Sequence, residues 1–183
     1  MRVLLTGGGT AGHINPALAV AEYIKNNNEN AKISYIGTAK KLEATLVPKA
    51  GYDFRTIDVA GFRRKISIPN IFYNISAASK AVTSSFAARK ILKELKPDVV
   101  MGTGGYVSGP VLREAAKLGI KTAIHEQNAY PGITTKMLAP KVDRVMLAIP
   151  EAKKHINVNR DYVVTGNPVR EDFLKIDKKT GGK

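Results

Sequence analysis

The stretch TGGGTAGHINPA, residues 6–17, decides the fold class. It follows the apolar run Val3-Leu4-Leu5, and its glycines at positions 7, 9 and 12 match the pattern G-x-G-x-x-G. A glycine-rich turn between a short apolar strand and a helix is typical of the first βα unit of a doubly wound sheet. The same pattern marks dinucleotide-binding proteins, so the first question is whether this loop binds NAD.

The second strand argues against NAD. A dinucleotide-binding fold places an acidic residue at the end of that strand, where it binds the ribose hydroxyls. Here the strand ends in Ile36-Gly37-Thr38, and Glu43 lies inside the next predicted helix. What remains is an anion site, because glycines let backbone N–H groups approach a ligand and a helix N-terminus is partially positive. A tight turn is the structural alternative for one such loop.

Apolar runs typical of strands alternate with helical patterns along the whole chain. The predicted strands cover residues 2–6, 32–36, 53–57, 98–101, 120–124, 143–148 and 162–165, and the predicted helices cover 15–27, 39–50, 70–95, 109–118, 131–138 and 150–156. This alternation predicts an α/β fold with a doubly wound, Rossmann-like parallel sheet. The pattern stops after Gly166, so we assign 1–166 to this domain and 167–183 to the start of an interdomain linker or a tail.

Three loops are expected to meet at one edge of the sheet. In a doubly wound sheet the first and fourth strands commonly lie side by side, and ligands bind outside their carboxyl ends. A second glycine-rich loop, GTGGYVSGP (102–110), follows the fourth strand, and the polar loop HEQNAYPG (125–132) follows the fifth. Two glycine loops at one crevice suit a diphosphate.

Composition and charge limit the function classes. Hydrophobic residues make up 44% of the 183, as in globular proteins, and the absence of cysteine excludes disulfides and thiolate chemistry. We expect no metal and no cofactor, and we expect a cytoplasmic protein because no signal peptide or membrane-spanning run is visible. The net charge of +14 indicates an anionic partner, and it is concentrated between Phe62 and Lys96, where eight basic residues accompany Glu94 alone.

Four motifs in order, GGTAGHINPALAVA, GTGGYVSGP, HEQNAYPG and TGNPVR, resemble the MurG-type peptidoglycan glycosyltransferases over residues 1–175. The resemblance implies a GT-B fold of two Rossmann-like domains, of which this chain matches the N-terminal half. It also implies inverting transfer of N-acetylglucosamine from UDP-N-acetylglucosamine (UDP-GlcNAc) to lipid I, which makes lipid II at the inner face of the cell membrane. The N-terminal half is then expected to bind the lipid-linked acceptor. Ala11 departs from the family, which usually has glycine there.

Two residues compete for the role of catalytic base. Inverting transfer needs a base for the attacking hydroxyl and stabilisation of the leaving diphosphate. His13 suits this role because imidazole can be neutral near pH 7, but it suits equally a hydrogen bond to a sugar. Glu126 is the rival base, and its structural alternative is to bind backbone N–H groups of its own loop. His125 is expected to be packed and hydrogen-bonded.

The resemblance also implies the residues that contact the UDP-sugar: Thr10, Ala11, Gly12, Asn128 and Arg170. Arg170 has an alternative as a solvated linker charge. Tyr106 and Ser108 are candidates for binding the acceptor, and Ser108 has the alternative of capping the helix at 109–118. The other candidate substrate-binding residues lie in the same three loops: Gly8, Gly9, Gly104, Gly105 and Gln127.

The long basic helix has two apolar arcs at 100° per residue. One arc is small and suits packing on the sheet: Ala77, Ala81, Ala88, Leu92 and Leu95. On the other we expect exposed residues that enter the bilayer: Ile75, Val82 and Phe86. Basic side chains nearby would attract anionic headgroups: Arg63, Arg64, Lys65, Arg89 and Lys93. The alternative is that both arcs are buried.

Two other functions remain open. One is a GT-B transferase with a soluble acceptor, against which the proposed membrane helix argues. The other is a basic nucleic-acid-binding module. The chain carries no recognisable recognition-helix or RNA-binding motif, and nucleic-acid binding would leave the glycine loops unexplained, so we expect no nucleic-acid partner.

Overall fold

The computed structural model describes residues 1–60, 68–157 and 162–170, and of residues 68–79 only the backbone. These ranges contain seven strands: β1 (Arg2–Thr6), β2 (Lys32–Gly37), β3 (Asp53–Thr56), β4 (Val99–Gly102), β5 (Lys121–Glu126), β6 (Arg144–Leu147) and β7 (Tyr162–Val164). They also contain five α-helices: α1 (Ala11–Asn27), α2 (Glu43–Lys49), α3 (Ile68–Leu95), α4 (Ser108–Lys117) and α5 (Ile133–Leu138). A 3₁₀-helix covers Pro150–His155.

All seven strands are parallel and form one sheet in the order β3-β2-β1-β4-β5-β6-β7. The strand order reverses between β1 and β4, where Thr6 pairs with Gly102. Gly102 pairs in turn with Ile124 of β5. The predicted α/β doubly wound fold is therefore confirmed, and the loops after β1, β4 and β5 begin side by side at the carboxyl edge.

Alternation along the strands distributes the core between the two faces of the sheet. Val3 and Leu5 of β1 belong to the cluster that includes Ile14 and Leu18 of α1. Leu4 points to the other face, into the cluster that includes Leu92 of α3. Helices α1 and α2 therefore cover one face, and α3, α4 and α5 cover the other.

Helix α1 begins four residues earlier than the sequence pattern predicts. The glycine-rich stretch suggested a loop up to residue 14, but the N–H groups of His13 and Ile14 both donate to the Thr10 carbonyl, at 3.1 and 3.2 Å. Thr10, in an extended conformation, is the N-cap. His13 therefore lies on the first turn of a helix, which gives its ring a defined direction.

The long helix α3 follows the two-arc prediction where its side chains are described. Ala88 and Leu92 are buried, whereas Val82 and Phe86 expose 57% and 70% of their surface. The Ile75 side chain and residues Arg63, Arg64 and Lys65 lie outside the described residues. Among the helices in the described ranges, none combines the length and apolarity that crossing a membrane requires.

Candidate active site at the carboxyl edge

The buried glycines of the first loop make room for protein atoms. A Cβ on Gly7 would collide with Thr103 Oγ1, and one on Gly8 would collide with the Glu43 carboxylate. Around Gly9, by contrast, no atom lies within 4 Å of an added Cβ, and around Gly12 the nearest is Thr10 Oγ1 at 3.7 Å. The open part of this loop is therefore residues 9–12.

The second glycine loop packs directly on the first. Gly104 and Gly105 have φ of +111° and +80°, a conformation that favours glycine. A Cβ on Gly104 would lie 2.6 Å from His13 Nδ1, and one on Gly105 would collide with the Gly8 carbonyl. Loop-to-loop packing thus accounts for both glycines, without a ligand.

Glu43 is a site residue whose role the sequence analysis missed. Its buried carboxylate accepts hydrogen bonds from the Gly9 N–H at 3.0 Å, the Thr38 N–H at 3.1 Å and the Thr38 hydroxyl at 2.7 Å. Burial raises the pKa of this carboxyl, but the hydrogen bonds outweigh it and hold the pKa below its ordinary value. The Gly9 N–H is consequently occupied by protein. An acid shortly after the strand end Gly37-Thr38 was the available signal.

Thr103, also missed, joins the first two loops. Its hydroxyl donates to the His13 carbonyl at 2.6 Å, and its own carbonyl lies 2.9 Å from His13 Nδ1. Gln127 of the third loop reaches the same histidine, with Oε1 3.2 Å from Nδ1. All three loops therefore meet at His13, which is half-buried.

The Nδ1 contacts define the chemistry of His13. A carbonyl oxygen only accepts hydrogen bonds, so Nδ1 carries the hydrogen of the neutral ring. Nε2 then keeps a lone pair. That arrangement is the one a general base requires.

Glu126 is buried, and protein groups occupy both of its oxygens. Oε1 accepts from the Asn128 backbone and side-chain N–H groups at 3.1 and 2.9 Å, and Oε2 accepts from the Gly132 N–H at 3.1 Å. These contacts match the structural alternative considered for Glu126. The carboxylate stabilises the third loop up to the N-cap of α5, which is Gly132.

His125 is packed and hydrogen-bonded, as expected. It is buried, and Nε2 lies 3.0 Å from the Gly166 carbonyl. Burial lowers the pKa of this imidazole, against smaller opposing effects of the Gly166 carbonyl and the Glu126 charge. A neutral His125 therefore connects the end of β5 to the segment that follows β7.

Ser108 does not cap α4, so the capping alternative is wrong. It is the first residue of the helix, and the N-cap is Val107, without a side-chain hydrogen bond. The hydrogen of the buried Ser108 hydroxyl has two acceptors within reach, the Gly104 carbonyl at 2.7 Å and the Thr6 carbonyl at 3.1 Å. The hydroxyl therefore stabilises the packing of the two glycine loops.

The other predicted contacts divide into an exposed group and one separate residue. The exposed candidates are Thr10, Ala11, Gly12, Tyr106 and Asn128. Arg170 instead lies with Nε 3.8 Å from the Glu22 carboxylate of α1. Glu22 is about 16 Å along the helix from Ala11, at 1.5 Å per residue. The structure therefore does not bring Arg170 to the glycine loops, and its role as a UDP-sugar ligand stays a prediction.

Two charges of the basic region have acidic partners. Arg89 Nη1 lies 3.5 Å from the buried carboxylate of Glu114, and Lys80 lies 2.9 Å from Asp58. Lys90 and Lys93 are exposed. In the described part of the chain, no group of three or more acidic or histidine side chains could hold a metal ion.

Comparison with known proteins agrees with this architecture. The family model described as the glycosyltransferase family 28 N-terminal domain matches residues 3–147. A curated relative from Ruminiclostridium cellulolyticum is 50% identical over 95% of this chain and 47% of its own length, and one from Alkaliphilus metalliredigens is 47% identical over 98% and 48%. Both are named UDP-N-acetylglucosamine–N-acetylmuramyl-(pentapeptide) pyrophosphoryl-undecaprenol N-acetylglucosamine transferase.

A solved structure of the same group of transferases is also similar to this chain. The crystal structure of Acinetobacter baumannii MurG aligns with a TM-score of 0.72 and 33% identity, over 93% of this chain and 46% of that one. The chain thus spans about half the length of the relatives it matches.

Proposed function

The chain belongs to glycosyltransferase family 28, and on that basis we propose that it is the acceptor-binding half of the enzyme that transfers N-acetylglucosamine from UDP-GlcNAc to lipid I, forming lipid II for peptidoglycan. The observation that carries this proposal is the meeting of three loops at His13, whose Nδ1 contacts leave Nε2 as a base. Family membership supplies the reaction, and the loop geometry supplies a residue able to begin it.

In the proposed mechanism, His13 Nε2 takes the proton from the 4-hydroxyl of the muramoyl sugar. The oxygen attacks C1 of N-acetylglucosamine from the side opposite the diphosphate, and the C1–O bond breaks with its electron pair leaving on UDP. The His13 imidazolium is then stabilised through Nδ1 by the Thr103 carbonyl and the Gln127 amide oxygen. Glu126 has three hydrogen-bond donors on its carboxylate, which supports a structural role for it.

The residues proposed to bind the substrates are those that are exposed at this edge and carry suitable hydrogen-bonding groups. Thr10, Ala11 and Gly12 lie at the N-terminus of α1, whose partial positive charge suits phosphate or sugar oxygens. Tyr106 and Asn128, both exposed, offer a hydroxyl and an amide. We keep Arg170 as a UDP-sugar ligand on condition that it leaves Glu22 when the second half of the enzyme is present.

We also propose that the exposed face of α3 contacts an anionic membrane, which would make the protein peripheral on the inner face of the cell membrane. Val82 and Phe86 supply apolar surface, and Lys90 and Lys93 are exposed on the same helix. A lipid-linked acceptor remains in the bilayer, so an acceptor domain that binds the membrane reaches it directly. The domain boundary is proposed after Gly166, two residues beyond β7.

Calorimetric titration of the chain tests the proposal. We expect a lipid I analogue to bind and UDP-GlcNAc alone to bind weakly, because most of the donor pocket is proposed to lie in the other half. The same muramoyl sugar without diphosphate and lipid is the matched control, and equal affinity for it would favour a soluble acceptor. Salt-sensitive binding of random DNA or RNA that exceeds binding of the lipid I analogue would favour the nucleic-acid alternative. Absence of binding to every acceptor would contradict the proposal.

A further inference from the structure

We propose that Gln127 is a positioning residue whose side-chain amide holds His13 with Nδ1 protonated and Nε2 free, and holds His125 in the opposite tautomer. Its importance for catalysis rests on the proposed function. The arrangement of the two rings does not, and it can be measured on the chain itself.

The amide of Gln127 lies between the two rings. Its Oε1 is 3.2 Å from His13 Nδ1, and its Nε2 is 3.0 Å from His125 Nδ1. Nε2 is also 2.9 Å from the Thr103 carbonyl and 3.2 Å from the His125 carbonyl. Every polar atom of this side chain thus faces protein, which is unusual for a residue expected to bind substrate.

Hydrogen-bond accounting gives each ring one tautomer. The Gln127 Nε2 only donates, so His125 Nδ1 accepts and the hydrogen of this ring is on Nε2. There it meets the Gly166 carbonyl at 3.0 Å, which can only accept. His13 has the opposite assignment, because both neighbours of its Nδ1 are oxygen acceptors. The two assignments are consistent with a single orientation of the amide.

If the Gln127 amide were flipped by 180°, its contacts with both neighbouring groups would be unfavourable. Its N–H groups would face the Nδ1–H of His13, and its oxygen would face the lone pair of the Thr103 carbonyl. A buried donor or acceptor without a partner is destabilising. A second proton on His125, at Nδ1, would face the Gln127 N–H in the same way. Burial, which lowers the pKa of this ring, also disfavours that charged form.

The His13 ring is therefore oriented by two uncharged groups at Nδ1. Serine-protease-like sites use a carboxylate to hold the histidine, and the carboxylate also stabilises the charged ring. Here an amide and a carbonyl take that place. A Cβ at Gly104 would lie 2.6 Å from the same nitrogen, so the second loop packs closely against this side of the ring.

The test is ¹⁵N NMR of the histidine rings in the 183-residue chain, which contains His13, His125 and His155. We expect the Nδ1–H tautomer for His13 and the Nε2–H tautomer for His125. In Gln127→Met, which keeps the length and removes the amide, only the Thr103 carbonyl remains as an acceptor at His13 Nδ1, and the proportion of the Nε2–H tautomer should rise measurably. His155, which contacts Tyr130 with ring centroids 4.7 Å apart, is the internal control and should not change.

Gln127→Glu is the second variant. Its carboxylate would accept at His13 Nδ1 as the amide oxygen does, so His13 should keep the Nδ1–H tautomer. It cannot donate to His125 Nδ1, so His125 should lose its single Nε2–H tautomer. Asn26→Asp, at the far end of α1, adds the same charge without these contacts and should change neither ring.

An Nε2–H tautomer for His13 in the wild type would overturn the proposal, as would wild-type tautomers in both Gln127 variants. If Gln127→Met does not fold, the wild-type and Gln127→Glu spectra decide. Failure of the proposed function would look different, since the rings would behave as described while the chain bound no acceptor.

Discussion

Glu43 places a negative charge directly beneath a glycine loop that was expected to bind an anion. Its three hydrogen bonds fix Gly9 and the end of β2. Under the proposed function, a diphosphate would bind at the exposed N-terminus of α1, because the Gly9 N–H is already bonded to Glu43. The position of Glu43 shortly after β2 was a signal for a site residue, but it does not identify the hydrogen-bond partner, which lies in a loop 34 residues earlier.

Replacing Glu43 by glutamine should destabilise the chain near neutral pH. Glutamine offers one acceptor oxygen, so the Gly9 N–H or the Thr38 groups lose a partner, at a cost of about 1–3 kcal/mol. The folded pKa of Glu43 is lowered, so its contribution is fully present above the unfolded value of about 4.3 and is lost as the pH falls through the folded pKa.

Urea unfolding between pH 7 and pH 3 checks this prediction. The difference between wild type and Glu43→Gln should be largest at pH 7 and should shrink below about pH 4. Glu29→Gln, on an exposed carboxylate, is the control and should show little effect. A constant difference across the whole pH range would mean that ionisation of Glu43 contributes nothing.

His13→Ala should lower kcat far more than it raises KM for the donor. A general base contributes about 10²–10⁴-fold, and the reacting proton leaves from the acceptor. The measurement is steady-state kinetics on the chain joined to a donor-binding half. Glu126→Gln should be measured in the same assay. Because Glu126 is proposed to be structural, this variant should lose folding stability, and its kcat should fall only as far as folding is impaired. Nearly unchanged kcat in His13→Ala would remove this residue from the base role.

Much of the site was predictable because it lies on loops that follow sheet strands. Glycine spacing and the strand pattern located three loops that do meet, and His13 with them. For Glu126, hydrogen bonds within its own loop were one of two stated alternatives. The use of Ser108 and Gln127 was not predictable, since both contact carbonyl groups of other segments. Those partners depend on distances of a few ångströms between segments, which periodicity does not contain.

At the scale of elements, the strands were easier to predict than the helix ends. Buried parallel strands are short apolar runs, and every predicted strand is present within two residues of its expected bounds. The start of α1 was missed because Ala11 and Gly12 continue the glycine-rich composition of the preceding loop. Residues 150–156 were predicted as an ordinary helix and form the 3₁₀-helix Pro150–His155.

Helix α3 carries the membrane prediction. Phe86→Ser should weaken co-sedimentation with anionic vesicles by about tenfold or more, because burying a phenylalanine is worth about 1.5–3 kcal/mol. Binding should also rise with the anionic lipid fraction and fall with salt. Tyr23→Ser is the matched control, since Tyr23 is 63% exposed but lies on α1, on the opposite face of the sheet.

Equal losses in the Phe86 and Tyr23 variants would contradict a specific membrane face, and so would binding that is indifferent to lipid charge and salt. Arg89 is a less informative target. Its ion pair with the buried Glu114 also links α3 to α4, so removing it affects packing as well as charge.

For the whole molecule, the sheet places the proposed acceptor-binding residues and the proposed base at one edge, while the relatives are about twice as long. Sugar transfer needs both substrates held in register, since orientation supplies a large part of the rate. We therefore predict that the 183-residue chain alone turns over little or no lipid I with UDP-GlcNAc. Joining it to the C-terminal half of a relative such as the Ruminiclostridium protein should restore turnover, and His13→Ala in that hybrid is the matched inactive control. Turnover by the chain alone, at a rate near that of the hybrid, would show that the donor is bound by residues in this half.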